Sequence, residues 1–573
     1  MTAEKRWQVA PPAPPEYVDQ LADLPPTLAQ ILYTRGYDPD AARAFLESRL
    51  DDDSPFRLKG IHRAVDRLRR AIKAGESIVV HGDFDADGVT STALLTLALR
   101  ALGANARPHI PHRVDEGYGL RSDTLKSLAD RGAQVVVTVD CGIRSVQEVA
   151  DANSYGLEMI ISDHHSIGPE LPPALAVINP KQADCPYPEK QLAGVGVAYK
   201  IAQALHMVEG QSPLGKGDAG WTPEHVLDLV ALGTVADLVP LVGENRSLVR
   251  RGLELLNQPQ REGLVALYKA AGVQPGRINA TTIGFALGPR INAAGRLQHA
   301  NLAYELLTAD NVPEASEKAR ELHRINQERQ QLTEESFALA ESLTGVDDLA
   351  SLPLVFVAHQ DFLPGIVGLV ASRLTEAAYR PSVVVELGEE VGHGSCRSIP
   401  EFDITQALDR CEDLLVRHGG HAMAAGFTVG LENVEALAER LAAIAAEQLS
   451  EQELMPTLEI DAELPLTALT WDLLETLALL EPTGQQNPQP LFLSRDVTVK
   501  SRHTLGEDGK HLKMKLTLDE SAGVWDAIAF RQGHAAGELP ERVDLAYHFE
   551  ANEWKGLVTP QLNVLDIHPA TGA

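Results

Sequence analysis

Ile78-Val79-Val80-His81-Gly82-Asp83-Phe84-Asp85-Ala86-Asp87-Gly88 is the stretch whose reading decides the fold. Its apolar opening has strand character and breaks into three carboxylates at alternate positions. The following run, Val89 to Leu102, is rich in Ala and Leu and predicts a helix. Carboxylates that alternate just past a strand point in related directions, and they repel one another unless a cation lies among them. A metal site is the expected consequence.

The same grammar continues outward. A helix over 61–74 feeds the strand, and the order that follows is helix 88–102, strand 106–110, helix 121–131, strand 134–139, helix 145–155, and strands 157–162 and 174–178. Strand–helix alternation predicts a parallel sheet in an α/β domain, with ligands outside the carboxyl ends of the strands. Three further apolar runs end in acid: Val135 to Val139 before Asp140, Met159 to Ser162 before Asp163-His164-His165, and Ala231 to Ala236 before Asp237. Taken singly, Asp140 reads equally well as a turn residue, and adjacent histidines are commonly loop or core residues. Four such endings together are poorly explained that way. A calcium loop is excluded because its twelfth position is Leu94 rather than Glu, and because a strand precedes it. Asp and His donors suit Mn²⁺ or Mg²⁺ better than thiol-seeking metals. A central Asp can bridge two such ions about 3.5–4 Å apart, the arrangement that clamps both oxygens of a phosphoryl displacement.

A chain of 573 residues exceeds a single core. Residues 1–60 read as a Pro-rich arm followed by helices, with Asp51-Asp52-Asp53 in a loop. The first α/β domain takes 61–308, with helices near 194–206 and 224–235 and a loop-rich stretch over 276–301. Residues 309–346 form a long polar helix whose sparse apolar positions suit a bridge between domains. A second α/β unit spans 347–448 and opens with a strand from Leu354 to Ala358. From 449 to 573 short alternating strands (491–500, 511–518, 524–530, 543–549, 557–567) predict a small β-barrel, with an OB-fold as the leading form.

Composition adds limits. No apolar run approaches the roughly 20 residues of a membrane span, and the N-terminus lacks a signal-peptide core, so a cytoplasmic protein without a membrane partner is expected. The cysteines Cys141, Cys185, Cys396 and Cys411 are widely spaced and read as reduced, buried thiols. The net charge of −30 opposes general polyanion binding, so any nucleic acid must be held in local basic grooves. Six acids of the metal constellation overstate that repulsion.

The run His81 to Gly88, Asp140, the triplet Asp163-His164-His165 and Asp237, in this order and spacing, resemble the DHH phosphoesterase superfamily. The likeness extends to Leu192–Lys200, Gly288–Leu297, Leu363–Leu374, Ser395–Ser398, Gly419–Phe427, Pro482–Phe492 and Val558–Val564, thus over roughly 60–570. These features are similar to its bacterial exonuclease branch. Leu363 and Thr483-Gly484-Gln485-Gln486 depart from that pattern without touching a candidate ligand.

The resemblance implies a DHH domain and a DHH-associated domain joined by the long helix, then an OB-fold. It also implies a metal-dependent 5′→3′ exonuclease on single-stranded DNA, releasing mononucleotides in repair and recombination. One cation would sit on Asp85 with His81 or Asp83, the other on Asp87, His164 and Asp237, with Asp140 between them. Asp163 and His165 would orient ligands or donate to phosphate. Arg113, Asn292, Arg296, Ser395, Arg397, Gly419, Gly420 and His421 would hold phosphate and DNA, although an isolated Arg113 or Arg296 would read as a surface ion pair. Lys318, Arg320, Arg324 and Arg329 read equally as a track for the backbone or as a solvated helix face, and Trp525, Phe530 and Trp554 as stacking surfaces or, more commonly, barrel core. A single-strand-binding protein and a helicase are the implied partners of a monomer near the nucleoid. Two other readings stand beside this one: a phosphodiesterase on short oligonucleotides or cyclic dinucleotides, and a non-catalytic replication scaffold.

Overall fold

In the computed structural model, Val79, Val80 and Val135 to Val137 have no exposed surface, as expected for strands covered on both faces. The structure describes residues 5–47, 53–113, 116–117, 119–346, 348–506, 508–518, 523–554 and 556–570. Asp51 and Asp52 of the expected acidic loop lie outside them. The first sheet is parallel throughout, in the order Asn105–His109, Ser77–His81, Val135–Thr138, Glu158–Ser162, Ala176–Ile178. Helices Ile61–Ala74, Ala86–Ala101 and Gly194–Gln211 join it in the largest core. Its second face is covered by a smaller core that includes Leu125, Leu128, Val149 and Ala152 of Ser122–Asp130 and Val146–Ser154.

The loop expected over 276–301 is instead helical. Ala280–Thr282 runs into a π-helical turn, Ile283–Leu287, and then helix Gly288–Leu297. Gly288, Pro289 and Gly295 argue locally against helix, and Pro289 falls directly after the π-helical turn, in the first turn of Gly288–Leu297. Burial of Ile283, Leu287, Ile291 and Ala294 then overrides propensity.

The connector is one helix, Val312–Thr344. Asn311 caps its start by accepting from the Glu314 amide at 3.0 Å, and Gly345 ends it in the left-handed conformation at φ 66°. Ala315, Ala319 and Leu322 pack into the first domain's core and Ala340 into the second's, so the helix does bridge. The second domain has a mixed sheet ordered Leu415–His421, Ala424–Gly430, Val391–Arg397, Ser382–Leu387, Val355–His359, parallel only in the last pairing.

Strand Phe492–Leu505 pairs with both His511–Thr517 and Arg542–Trp554, and Trp525–Ala529 with Leu557–Pro569 completes a closed five-stranded barrel. The N-terminal segment is no detached arm. Arg6–Val9 pairs in parallel with Thr457–Ile460, and Tyr17, Leu28, Ile31 and Leu32 share the barrel's core. All four cysteines are free and buried. Among the described residues no helix is long and apolar enough to cross a membrane.

Candidate metal centre

The strand order places the switch point between Ser77–His81 and Val135–Thr138, because the chain leaves these neighbours in opposite directions. A crevice opens there beyond the carboxyl ends. Asp83, Asp85 and Asp87 enter it from one strand, Asp140 from the other, and Asp163-His164-His165 from the next. Asp237 arrives differently from expectation: the run before it is helix Leu227–Ala236, and Asp237 is its C-terminal capping residue.

Local contacts fix each acid. Asp85 caps helix Ala86–Ala101, accepting from the Gly88 amide at 3.0 Å. Asp87 points the other way and accepts from Gly194 at 2.6 Å and Val195 at 2.8 Å, at the positive start of helix Gly194–Gln211. Asp140 has φ 62°, a left-handed conformation that Asp tolerates better than most residues. Asp163 is fully engaged: it accepts from the amides of Ile143, His164 and His165, and its Oδ1 lies 2.8 Å from His165 Nδ1. It therefore shapes the turn and orients His165.

Three overlapping sets of ligand atoms lie within 4.8 Å of one another: Asp83, Asp85 and Asp140; Asp87, His164 and Asp237; and Asp140, His164 and His165. His164 Nε2 is 3.0 Å from Asp140 Oδ1, 3.6 Å from Asp237 Oδ2 and 3.9 Å from Asp87 Oδ2. Asp140 thus belongs to two of the sets. His81 belongs to none; its ring lies against His109 at 4.9 Å, with Nδ1 3.9 Å from Cys141 Sγ.

Burial and mutual repulsion shape the charges. Burial first, then Asp85, pushes Asp83 up to about 8 and Asp87 up to about 7. Burial first, then Asp87 and Asp85, holds Asp140 and Asp237 well above the usual carboxylate range. Burial pushes His164 and His81 down to about 3, leaving neutral rings with an available lone pair. His165 is raised despite burial, through Asp163. Asp83 Oδ1 and His81 Nε2 are buried without a hydrogen bond. Oxygen and imidazole donors left unmatched in this way fit Mn²⁺ or Mg²⁺.

Beside the acids sits a cluster of guanidiniums. Burial first, then Arg113, Arg329 and Arg397, pushes Arg296 down to about 10, with Asp85 opposing. Arg113 lies 3.9 Å over the Phe84 ring and donates Nε to the Gly295 carbonyl at 2.9 Å. Arg296 reaches across to the Gly365 carbonyl of the second domain at 3.2 Å, and Arg397 donates to Ser395 Oγ at 3.3 Å. Asn292 Oδ1 accepts from the Ala86 amide at 2.7 Å, which leaves the acceptor side of its amide committed to the backbone. It steadies the start of the helix that carries Asp87. Gly419, Gly420 and His421 lie on the edge strand Leu415–His421, and with His165 and Arg144 they line a cleft of about 950 Å³ between the domains.

Two of the connector's cations take the helix-face alternative. Lys318 is paired with Glu305 and Glu314, and Arg324 with Glu321 and Glu328, so both are neutralised. Arg329 faces inward, donating to Asn326 at 2.8 Å. Trp525 packs edge-on against Phe549 as core, whereas Phe530 is half exposed beside His511. The Trp554 side chain lies outside the described residues. Sequence reasoning placed Gly194 and Val195 within the Leu192–Lys200 likeness but gave their amides no role.

The DHH family N-terminal domain matches residues 77–234, the DHHA1 domain 352–447, and the RecJ OB domain 460–566. The chain is 38% identical to the single-stranded-DNA-specific exonuclease RecJ of Bacillus subtilis over 99% of its own length and 71% of the relative's. To the Escherichia coli protein of that name it is 36% identical, over 97% and 98%. The crystal structure of Thermus thermophilus RecJ in complex with Mn²⁺ superimposes with a TM-score of 0.84 at 33% identity, covering 99% of this chain and 80% of that one. The Mg²⁺ complex gives 0.79 at 32%, over 99% and 79%. Full-length identity, matching domains in the same order and a conforming acid–histidine centre agree: the chain belongs to the RecJ family of DHH phosphoesterases.

Proposed function

We propose that the chain is a metal-dependent exonuclease that removes mononucleotides from the 5′ end of single-stranded DNA in repair and recombination. The observation that carries this reading is the juxtaposition of ligand sets sharing Asp140 with the arginine cluster around Arg296. Asp83, Asp85 and Asp140 would hold one cation, and Asp87, His164 and Asp237 the other, with Asp140 also beside His164. Cations bound there would supply a metal-activated water as nucleophile and positive charge for the departing 3′-oxygen. His165, held above the usual imidazole range by Asp163, donates to a phosphate oxygen. Asn292 is a positioning residue acting through Ala86.

Arg113, Arg296 and Arg397, with Ser395, bind the terminal 5′-phosphate, since a planar guanidinium grips phosphate bidentately. Polarity follows from that anchor. Gly419, Gly426 and Ser395 are cross-strand neighbours, a floor almost free of side chains on which a nucleotide lies close to the backbone. His421, further along the same strand, contacts the same nucleotide. The protein works as a monomer in the cytoplasm at the nucleoid, with single-strand-binding protein and a helicase supplying its strand.

The test is Mn²⁺-dependent digestion of 3′-labelled single-stranded DNA beside a cyclic dinucleotide. A ladder shortening from the 5′ end, lost in Asp140→Ala, supports the reading; turnover of the dinucleotide alone contradicts it. Arg397→Ala should erase the preference for 5′-phosphate over 5′-hydroxyl ends, and an undiminished preference would remove Arg397 from the anchor.

A further inference from the structure

The two most exposed large apolar side chains among the described residues are Phe285, at 83%, and Leu238, at 72%. Leu238 follows the candidate ligand Asp237, and Phe285 lies in the turn that leads into the helix carrying Asn292 and Arg296. Leu238 immediately follows Asp237 and sits at φ 59°, a conformation that a bulky residue adopts at a cost and that glycine adopts freely. Helices commonly end on glycine at this position. Leucine is therefore strained here without burying its side chain. Phe285 belongs to the π-helical turn Ile283–Leu287, an arrangement that often marks functional sites. Its neighbours Ile283 and Leu287 are fully buried while Phe285 points to solvent. The two segments touch: a Cβ at Gly288 would stand 3.4 Å from the Ala236 Cβ. Leu238 and Phe285 are thus two and three residues from one contact, and Leu238 adjoins the candidate ligand Asp237.

We infer that Leu238 and Phe285 form an apolar platform taking unstacked nucleobases of the substrate strand beside the scissile phosphate. The inference rests on the exonuclease reading and deepens it. The occupant is a base because the platform adjoins Asp237, where the strand must pass, and because an aromatic face stacks on any base regardless of sequence. It also answers a difficulty of charge. A chain of net charge −30 gains little from long-range attraction to DNA. Stacking holds the strand without releasing counterions, so this contribution does not fade with salt as phosphate contacts do.

The experiment measures kcat and KM of the full-length protein with Mn²⁺ on 5′-phosphorylated oligo-dT at low and at several-fold higher salt. Wild type, Phe285→Ala, Phe285→Trp, Leu238→Gly and Arg296→Ala are compared, with Tm recorded for each. Phe285→Ala should raise KM roughly fivefold to a hundredfold with kcat less affected, by a similar factor at both salts. Phe285→Trp should restore it, while the Arg296→Ala defect should depend on salt. Leu238→Gly should raise KM while raising Tm by about 2 °C, because glycine relieves the strain. An unchanged KM in Phe285→Ala, with active wild type, would overturn the platform and leave the exonuclease reading intact. A raised Tm with unchanged KM in Leu238→Gly would make Leu238 a helix end and overturn its part. Wild type that digests no single strand at either salt would overturn both.

Discussion

The Gly194 amide donates to the Asp87 carboxylate across 2.6 Å and 107 residues of chain. That bond ties the start of one helix to an acid in the first turn of another. It also brings the Gly194 Cα so close to Asp140 that an added Cβ would stand 2.6 Å from the Asp140 Cβ. Two candidate ligands are therefore set by one residue with no side chain.

Gly194→Ala should consequently displace Asp140 and disturb both cation sites. Overpacking of this kind costs about 1–3 kcal/mol, and loss of ligand support weakens metal affinity by roughly 10–100-fold. Titration of Mn²⁺ against activity measures the second effect and thermal unfolding the first. Wild-type Mn²⁺ dependence in the variant would contradict the geometry.

Asp140→Asn separates charge from backbone. Asn accepts the left-handed conformation at φ 62°, so the loop should persist. Activity should fall by more than the roughly 100-fold that a supporting residue costs. Without metal the variant should melt no lower than wild type, because one buried acid of a repelling group has gone. Its melting temperature should respond weakly to Mn²⁺.

The raised carboxylates link metal, pH and stability. Asp83 and Asp87 stand at about 8 and about 7 when folded, against an ordinary value near 4. Over that window the folded metal-free protein binds more protons than the unfolded chain, so its stability falls as pH rises from about 4 to about 8. Cations relieve the repulsion and compete with those protons. Mn²⁺ should therefore raise the melting temperature more at pH 8 than at pH 6, with about 2.7 kcal/mol expected at a hundredfold excess over Kd. An equal shift at both pH values would count against this charge state.

Arg246 ties three parts of the chain together. Buried in the first domain, it donates to the carbonyls of Phe45, Leu479 and Glu481 at 2.9 Å each and lies 4.0 Å over the Phe45 ring. Arg246→Ala strands those carbonyls and should cost about 2–4 kcal/mol. Limited proteolysis should show early release of the barrel unit, while residual activity keeps its wild-type Mn²⁺ dependence.

Much was legible along the chain because it is local. The buried-strand pattern is carried by Ile78 to Val80 and Val135 to Val139, whose apolar runs demand burial on both faces, and the acids that follow must fall at the sheet's carboxyl edge. The connector helix, with its Asn311 cap and Gly345 stop, and the alternating barrel strands are equally local signals. Helix Gly288–Leu297 was hidden because Gly and Pro disfavour helix intrinsically, and only packing against the core reverses that preference.

By itself the sequence determined the alternation of elements, the order of domains and the acids and histidines that meet at one edge, since these depend on short-range pattern. Tertiary structure alone decided that Asp237 reaches the centre from a helix, that Arg113, Arg296, Arg329 and Arg397 converge, and that Arg6–Val9 joins a strand beginning at Thr457. It also decided which cations are spent on ion pairs, since Lys318 and Arg324 are neutralised by glutamates that share or adjoin their helix. The physical reason is range: propensity and periodicity act over a few residues, whereas burial, ion pairing and desolvation depend on which distant segments the fold brings together.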